Sequence, residues 1–306
     1  SGDVNLVADR LNMAAGTGIL NLRLAANRLS ADSDAGDILV TDIDGAFERT
    51  EGLLVVKAAT SKAVAGDTQV RIEAENNLLV GFEGEEGATE GTFVQDPIDG
   101  LVRGNTVRLV STDGDIQVVA PETGESLQYT RGIAFDADGA IDVYRFFEAP
   151  ELIEYRAGEF FRFGDGDGAK TGRIPGNVES DVIIFDTGSL LSIDGTLTAT
   201  DLIELRSDRD VIVSGDIQSK TTDAVGSVIV EARGTRTVSA SVDVNAIFDG
   251  SNFSGSERAS GFVSINVANM EADNIDIRAD KDIFVRVGSM EPTVNALTVS
   301  DNNADR

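Results

Sequence analysis

The chain has 306 residues, with 53 Asp+Glu against 25 Lys+Arg, a formal charge of −28, and neither His nor Cys. That composition excludes Ser-His-Asp and cysteine catalysis, haem and iron–sulfur ligation, His/Cys zinc sites and disulfides. It also argues against nucleic acid and anionic membrane surfaces as partners, since both repel a strongly acidic protein.

The residue mix favours an all-β fold. Val and Ile together number 53 against 21 Leu, and β-branched side chains suit pleated surfaces. An apolar content of 41% supplies a core in spite of the charge. No apolar run reaches the roughly 18 residues of a membrane span, so no membrane insertion is expected in this segment. The opening Ser1-Gly2-Asp3-Val4 is neither an initiator Met nor a signal peptide, and the chain reads as a segment of a longer polypeptide.

In chain order, residues 1–80 alternate with period two. Leu20-Asn-Leu22-Arg-Leu24 puts its Leu residues on one face, and Val70-Arg-Ile72-Glu-Ala74 repeats the pattern. Residues 81–104 form an acidic, Gly-rich loop carrying Glu83, Glu85, Glu86 and Glu90, a weak candidate for a divalent cation. The rhythm returns over 105–128. Residues 129–178 then hold 9 of the 17 aromatics, including all three Tyr. This bulk predicts a separately packed excursion, with Tyr144, Phe146, Phe147, Tyr155, Phe160, Phe161 and Phe163 as candidate partner contacts beside Arg145, Arg156 and Arg162. Strands resume over 179–306, at Val228-Ile-Val230, Val238 to Val244, Val263 to Val267, Ile275 to Ala279 and Ile283 to Val287.

Corners between strands carry Gly-Asp, at Gly2-Asp3, Gly36-Asp37, Gly66-Asp67, Gly114-Asp115 and Gly215-Asp216. Gly supplies unusual backbone angles and Asp is expected to bond back to the local chain. Short strands joined by such corners, with small or β-branched inward positions, point to a β-solenoid rather than a sandwich or barrel.

The stretch Val4 to Leu11, with Ala15-Gly16-Thr17-Gly18-Ile19, Leu29-Ser-Ala-Asp32 and Gly36-Asp37-Ile38-Leu-Val40, resembles the degenerate repeats of giant bacterial β-strand-repeat surface proteins, similar in style to filamentous haemagglutinin. Leu190 to Ile217 looks like the same repeat. The resemblance implies a right-handed parallel β-helix in a secreted or cell-surface polypeptide used as a rod or for adhesion. Coils of about 20–25 residues, each adding ~4.8 Å, would build a rod of roughly 50–60 Å.

Two acidic Gly motifs flank the aromatic stretch and are the best candidates for calcium: Asp136, Asp138 and Asp142, and Asp165 with Asp167. Neither completes an EF-hand, for counting Asp165 as the first position puts Gly176 where Glu is needed. Carboxylate pairs can hydrolyse glycosides, and β-helix polysaccharide enzymes are the natural comparison. Their hydrolases carry Gly-His-Gly and Arg-Ile-Lys, whereas this chain has no His and only Arg173-Ile174-Pro175. Lyases of that fold use Arg or Lys beside calcium, and here Lys170 and Arg173 lie near Asp165 and Asp167.

The sequence therefore predicts a non-enzymatic structural segment of an extracellular or cell-surface protein. Its expected partners are further copies or neighbouring segments of the same giant protein, joined end to end by strand pairing and laterally with help from cations. An adhesin binding surface glycans or a host ligand through 129–178 is the alternative, ahead of a polysaccharide lyase or hydrolase and of a phage-fibre-like trimer.

Overall fold

The computed structural model describes residues 6–43, 52–60, 67–81, 100–121, 124–163, 172–174, 176–219, 226–234, 237–238, 258–259, 261–289 and 296–301. Among these residues every regular element is a strand. The chain divides into two compact units, 1–149 with 163–166, and 150–162 with 167–306.

Unit one pairs its strands in parallel. Ile38–Asp42, Gln69–Ala74, Thr106–Ser111 and Gly132–Ala137 follow one another in a single ladder. Leu53–Thr60 begins another, which runs through Leu78–Val80 and Ile116–Val118 to Ile141–Val143. The far end of Leu53–Thr60 pairs with Leu101–Arg103, and that strand with Leu127–Gln128. Period two sets the faces: the pattern over Ile38–Asp42 alternates buried and half-buried at each step. Inward residues thus stack in columns. Ile38, Val70, Val107 and Ile133 form one, each 0% exposed.

Unit two shows the spacing most plainly. Leu191 pairs with Val211 and Leu197 with Ile217, each 20 residues on. Leu202 partners Val182 on one side and Ser227 on the other. The strand Leu197–Ser207 serves two ladders, its early residues pairing with Ile217–Ser219 and its later ones with Ser227–Ala232. The register shift between Ser180 and Val182 in the preceding strand marks where the backbone turns from one ladder to the next. Longer intervals, such as Val211 to Val263, accommodate inserted chain without breaking the pairing. The one antiparallel pair described, Thr237–Val238 with Arg258–Ala259, lies within that insertion.

The aromatic stretch does not stand apart from these ladders. Gly132–Ala137 pairs with Thr106–Ser111, and Leu152–Ala157 with Val178–Thr187. Four of its nine rings, Phe135, Phe147, Tyr155 and Phe161, are buried in the core. In unit one Val40, Ile72, Leu109 and Phe135 share a column. In unit two the corresponding series is Tyr155, Phe185, Leu205, Val230 and Ile277. Side-chain size changes along each column, so the cross-section admits rings where successive layers agree on them. A separately packed excursion is unnecessary.

Leu20 also departs from the simple alternation. It is 59% exposed whereas Leu24 is 0% exposed. Asn21 adopts a left-handed φ of 54°, and the register shifts between Ile19 and Leu22. The extra residue reverses the parity, so Leu20 and Leu24 cannot share a face. The expected strand over Val238 to Val244 lies outside the described residues beyond Val238.

Close stacking of corners makes some glycines obligatory. A Cβ on Gly195 would lie 1.5 Å from the Gly176 carbonyl oxygen, and one on Gly215 would lie 1.9 Å from that of Gly195. Neither position has a left-handed φ, so space rather than backbone freedom demands Gly. Gly215→Ala is expected to lower stability by about 1–3 kcal/mol through overpacking against rigid backbone. Gly16→Ala, which would meet nothing within 4 Å, should stay within about 0.5 kcal/mol of the parent; chemical denaturation of both variants compares them directly.

Candidate functional site

The Gly-Asp corners acquire a definite role. Asp37 accepts the Ile19 N–H on its carbonyl at 2.8 Å, while its Oδ1 accepts the Gln69 N–H at 2.7 Å. Asp115 does the same, taking the Leu78 N–H on its carbonyl at 2.8 Å and the Ala140 N–H on Oδ1 at 2.7 Å. At Asp216 the two donors are Leu197, at 2.8 Å, and Asn269, at 2.9 Å. Each aspartate therefore bonds backward through its main chain and forward through its side chain, linking three successive layers. The expectation of a purely local Asp turn is corrected: the forward donors lie 25 to 53 residues away. Asn77 acts likewise, accepting from Leu53 at 2.9 Å and from the Asp115 N–H at 2.9 Å. It escaped the sequence reading because it follows Asn76 and not Gly. Gly66-Asp67 and Gly2-Asp3 lie partly or wholly outside the described residues.

A second arrangement covers the outer face of unit two. Arg156, Asp186, Arg206, Glu231 and Arg278 occupy one outward column in register, with the sign of charge alternating at each step. Arg156 lies 2.6 Å from Glu154 and 3.6 Å from both Asp186 and Glu204. Arg206 joins Glu204 at 3.4 Å and Glu231 at 3.2 Å, and Arg233 joins Asp208 at 2.8 Å and also Asp186. Glu154 and Glu204 are 6% and 8% exposed. Burial disfavours the charge on Arg156, but its hydrogen bond to Glu154 and the nearby Glu204 and Asp186 outweigh this and raise its pKa. Opposite charges thus pair from layer to layer, although Glu204 Oε1, Arg206 Nε and Arg233 Nε form no hydrogen bond, and the arrangement works as an electrostatic seam along the sheet.

The predicted contact aromatics separate into two sets. Phe147, Tyr155 and Phe161 are 1%, 0% and 0% exposed, and their rings are taken up by the chain's own core. Tyr155 packs against Phe185 at 6.0 Å and Phe161 at 5.9 Å. Tyr144, Phe146, Phe160 and Phe163 are half-buried. In unit one Tyr144 meets Phe147 edge-on at 5.4 Å, and Phe146 meets Phe163 edge-on at 5.2 Å. The Arg145 guanidinium lies over the Phe147 and Tyr144 rings, 5.0 and 5.7 Å from their centres, and is held by Glu125 at 3.0 Å. Tyr129 abuts Phe147 at 6.4 Å, and burial pushes its phenol well above the ordinary value, opposed by Arg145.

The predicted calcium residues are placed as follows. Asp136 stands on the strand Gly132–Ala137 and pairs with Arg108 at 3.3 Å. Asp138 lies exposed in the following turn, its N–H donating to the Ser111 carbonyl at 3.1 Å. Asp142 is on the next strand, Ile141–Val143. Among the described residues no group of three or more His, Cys, Asp or Glu is arranged to hold a metal ion. Asp165 and Asp167 lie outside the described residues, as do Glu83, Glu85, Glu86 and Glu90. No helix among the described residues is long and apolar enough to cross a membrane.

No family model, curated protein or solved structure matches the chain.

Two expectations follow from this geometry. Asp115→Ala leaves the Ala140 N–H without its acceptor and should cost about 1–3 kcal/mol, whereas Asp115→Asn retains Oδ1 and should lose less than half as much in the same denaturation assay. Tyr129 is stabilising as the neutral phenol. Its native pKa lies above the unfolded value of 10.0, so its contribution is complete below pH 10 and is lost as pH rises through the native value. Thermal denaturation should therefore show stability falling above about pH 10, and Tyr129→Phe should flatten that decline.

Proposed function

We propose that the chain is a non-enzymatic structural segment of a large secreted or cell-surface bacterial protein, folded as a right-handed parallel β-solenoid. The observation that carries the reading is the recurrence in unit two of parallel pairing at 20-residue steps, Leu191 to Val211 and Leu197 to Ile217. Pairing each segment with the next repeat, rather than with its neighbour in a hairpin, is how a solenoid winds. The resemblance to filamentous-haemagglutinin-like repeats supplies the handedness and the extracellular setting.

In this role the protein works mechanically. Extension along the stack must break rows of main-chain hydrogen bonds, together with corner bonds such as those of Asp37 and Asp115. The charge of −28 keeps segments apart in solution, and divalent cations bridging acidic loops would allow them to associate laterally into a fibre or surface layer. Calcium is the cation of choice for oxygen-only ligands.

An adhesin is the second reading. It is favoured by the half-buried Tyr144 next to Arg145 and Glu125, a pairing of ring and charge suited to a glycan or a host ligand. A polysaccharide lyase or hydrolase is a weaker alternative, and loss of turnover on acidic polysaccharides in an Asp165→Asn, Asp167→Asn variant would speak for it.

Electron microscopy of the native material with and without a calcium chelator tests the main reading. Filaments or sheets that dissolve on chelation are the expected result. Isolated particles under both conditions, together with binding to immobilised glycans that Tyr144→Ala abolishes, would replace it with the adhesin.

A further inference from the structure

One corner of unit one is open to a covalent chemistry of its own. Aspartate followed by glycine can cyclise, because glycine has no Cβ to keep its main-chain nitrogen away from the preceding side-chain carboxyl. Three such pairs are wholly described, Asp113-Gly114, Asp138-Gly139 and Asp194-Gly195, and each stands at a corner between strands. The reaction needs two groups free, the carboxyl of the aspartate and the N–H of the glycine.

The three pairs differ on this ground. The Gly139 N–H donates to the Gly114 carbonyl at 2.9 Å, so at Asp138 the attacking nitrogen is tied to the layer before. The Asp194 carboxylate accepts from the Ser214 hydroxyl at 3.0 Å, and a Cβ on Gly195 would lie 1.5 Å from the Gly176 carbonyl oxygen, so both side chain and main chain are held. At Asp113 neither hold exists. Its side chain is exposed and, among the described residues, accepts no hydrogen bond and joins no ion pair, and the Gly114 N–H donates to no protein group.

The atoms that follow are bonded to the layers on both sides. The Gly114 carbonyl takes the Gly139 N–H, the Asp115 N–H donates to Asn77 Oδ1 at 2.9 Å, and Asp115 accepts from Leu78 and Ala140 at 2.8 and 2.7 Å. No slack is present here, for a Cβ on Gly114 would lie 2.5 Å from Asn77 Oδ1 and 2.8 Å from Asn77 N.

We propose that Asp113 is a site of spontaneous isoaspartate formation, a slow covalent modification that loosens the corner built on Asp115. The Gly114 nitrogen attacks Asp113 Cγ; the N–Cγ bond forms, and the amide proton and one carboxyl OH leave as water. Water then opens the resulting five-membered succinimide. Breaking N–Cγ returns aspartate, whereas breaking the bond from N to the Asp113 main-chain carbonyl carbon leaves the chain running through Cβ and Cγ, longer by one methylene. One water leaves and one enters, so the change is an isomerisation that needs only solvent. The lengthened backbone cannot hold Gly114 and Asp115 against both neighbouring layers.

Peptide mapping of the full chain, kept folded at mildly acidic pH, tests the proposal, with an isoaspartate-specific methyltransferase marking the product. Isoaspartate should accumulate at Asp113 at least about fivefold faster than at Asp138 or Asp194, the factor that one ordinary hydrogen bond is worth. In urea, where no corner is held, the three rates should converge. Asp113→Asn forms the same ring with ammonia as the leaving group and should yield isoaspartate faster still. Asp113→Glu, whose ring would need six members, should yield none at that position. The aged chain should unfold at a lower denaturant concentration than an Asp113→Glu chain aged alongside it. Equal rates at the three pairs in the folded chain, or an Asp113→Asn chain that reacts only in urea, would overturn the proposal; equal unfolding midpoints for the two aged chains would overturn the loosening of the corner.

Discussion

The constraint on which this structure depends is that no strand can satisfy its own main-chain groups. A parallel ladder draws each N–H and C=O from a segment about one repeat away, and only the corners leave groups without a strand opposite. Asp37, Asp115 and Asp216 resolve that deficit with one residue acting in two directions, carbonyl to the layer before and carboxylate to the layer after. Each bond contributes on the order of 1 kcal/mol net, but an orphaned buried N–H would cost up to about 3 kcal/mol. The corner aspartate is therefore best understood as protection against an unsatisfied donor. The same reasoning explains the neighbouring glycines, because a backbone close enough to receive a layer-to-layer bond leaves no room for Cβ, as at Gly215 and Gly195.

Stacking in register also ties the identity of each inward residue to those above and below it. The column from Tyr155 through Phe185, Leu205 and Val230 to Ile277 is buried throughout, each member being at most 1% exposed. Large rings are tolerated at one end of this column because Tyr155 meets a ring in the next layer, Phe185, and another on the following strand, Phe161. A ring introduced among Leu205 and Val230 would meet layers sized for branched aliphatics and would be overpacked. Aromatic clustering in the sequence thus reflects successive layers that place rings against rings.

Much of the local structure was legible in the sequence. Val70-Arg-Ile72-Glu-Ala74 alternates because a strand with one face inward must, and the structure buries Val70, Ile72 and Ala74 completely. Leu20 was misread for a physical reason, since a left-handed Asn21 costs little locally and leaves no mark on hydropathy. The function of the corner aspartates was hidden too, as their partners lie up to 53 residues away across insertions of different length. The division of the aromatics into core and half-buried members was equally out of reach, because Phe146 and Phe147 are adjacent and only the backbone decides which turns inward. Clusters of acids suggested metal sites; Asp136, Asp138 and Asp142 fall on a strand, a turn and the next strand, and Asp136 pairs with Arg108, a placement that hydropathy does not reveal.

Charge placement completes the argument. In a parallel stack an outward column repeats at the strand spacing of about 4.8 Å, so like charges in successive layers would repel along the whole ladder. Unit two avoids this by alternation from Arg156 to Asp186, Arg206, Glu231 and Arg278. Individual exposed pairs of this kind contribute little, about 0–1 kcal/mol. Their value is in what they prevent, because a column of five carboxylates or five guanidiniums would work against every layer of hydrogen bonds beneath it. A seam so nearly neutral cannot account for a net charge of −28. The excess acid belongs to positions off the seam. The sheet is thereby relieved of internal repulsion while repulsion between molecules is kept.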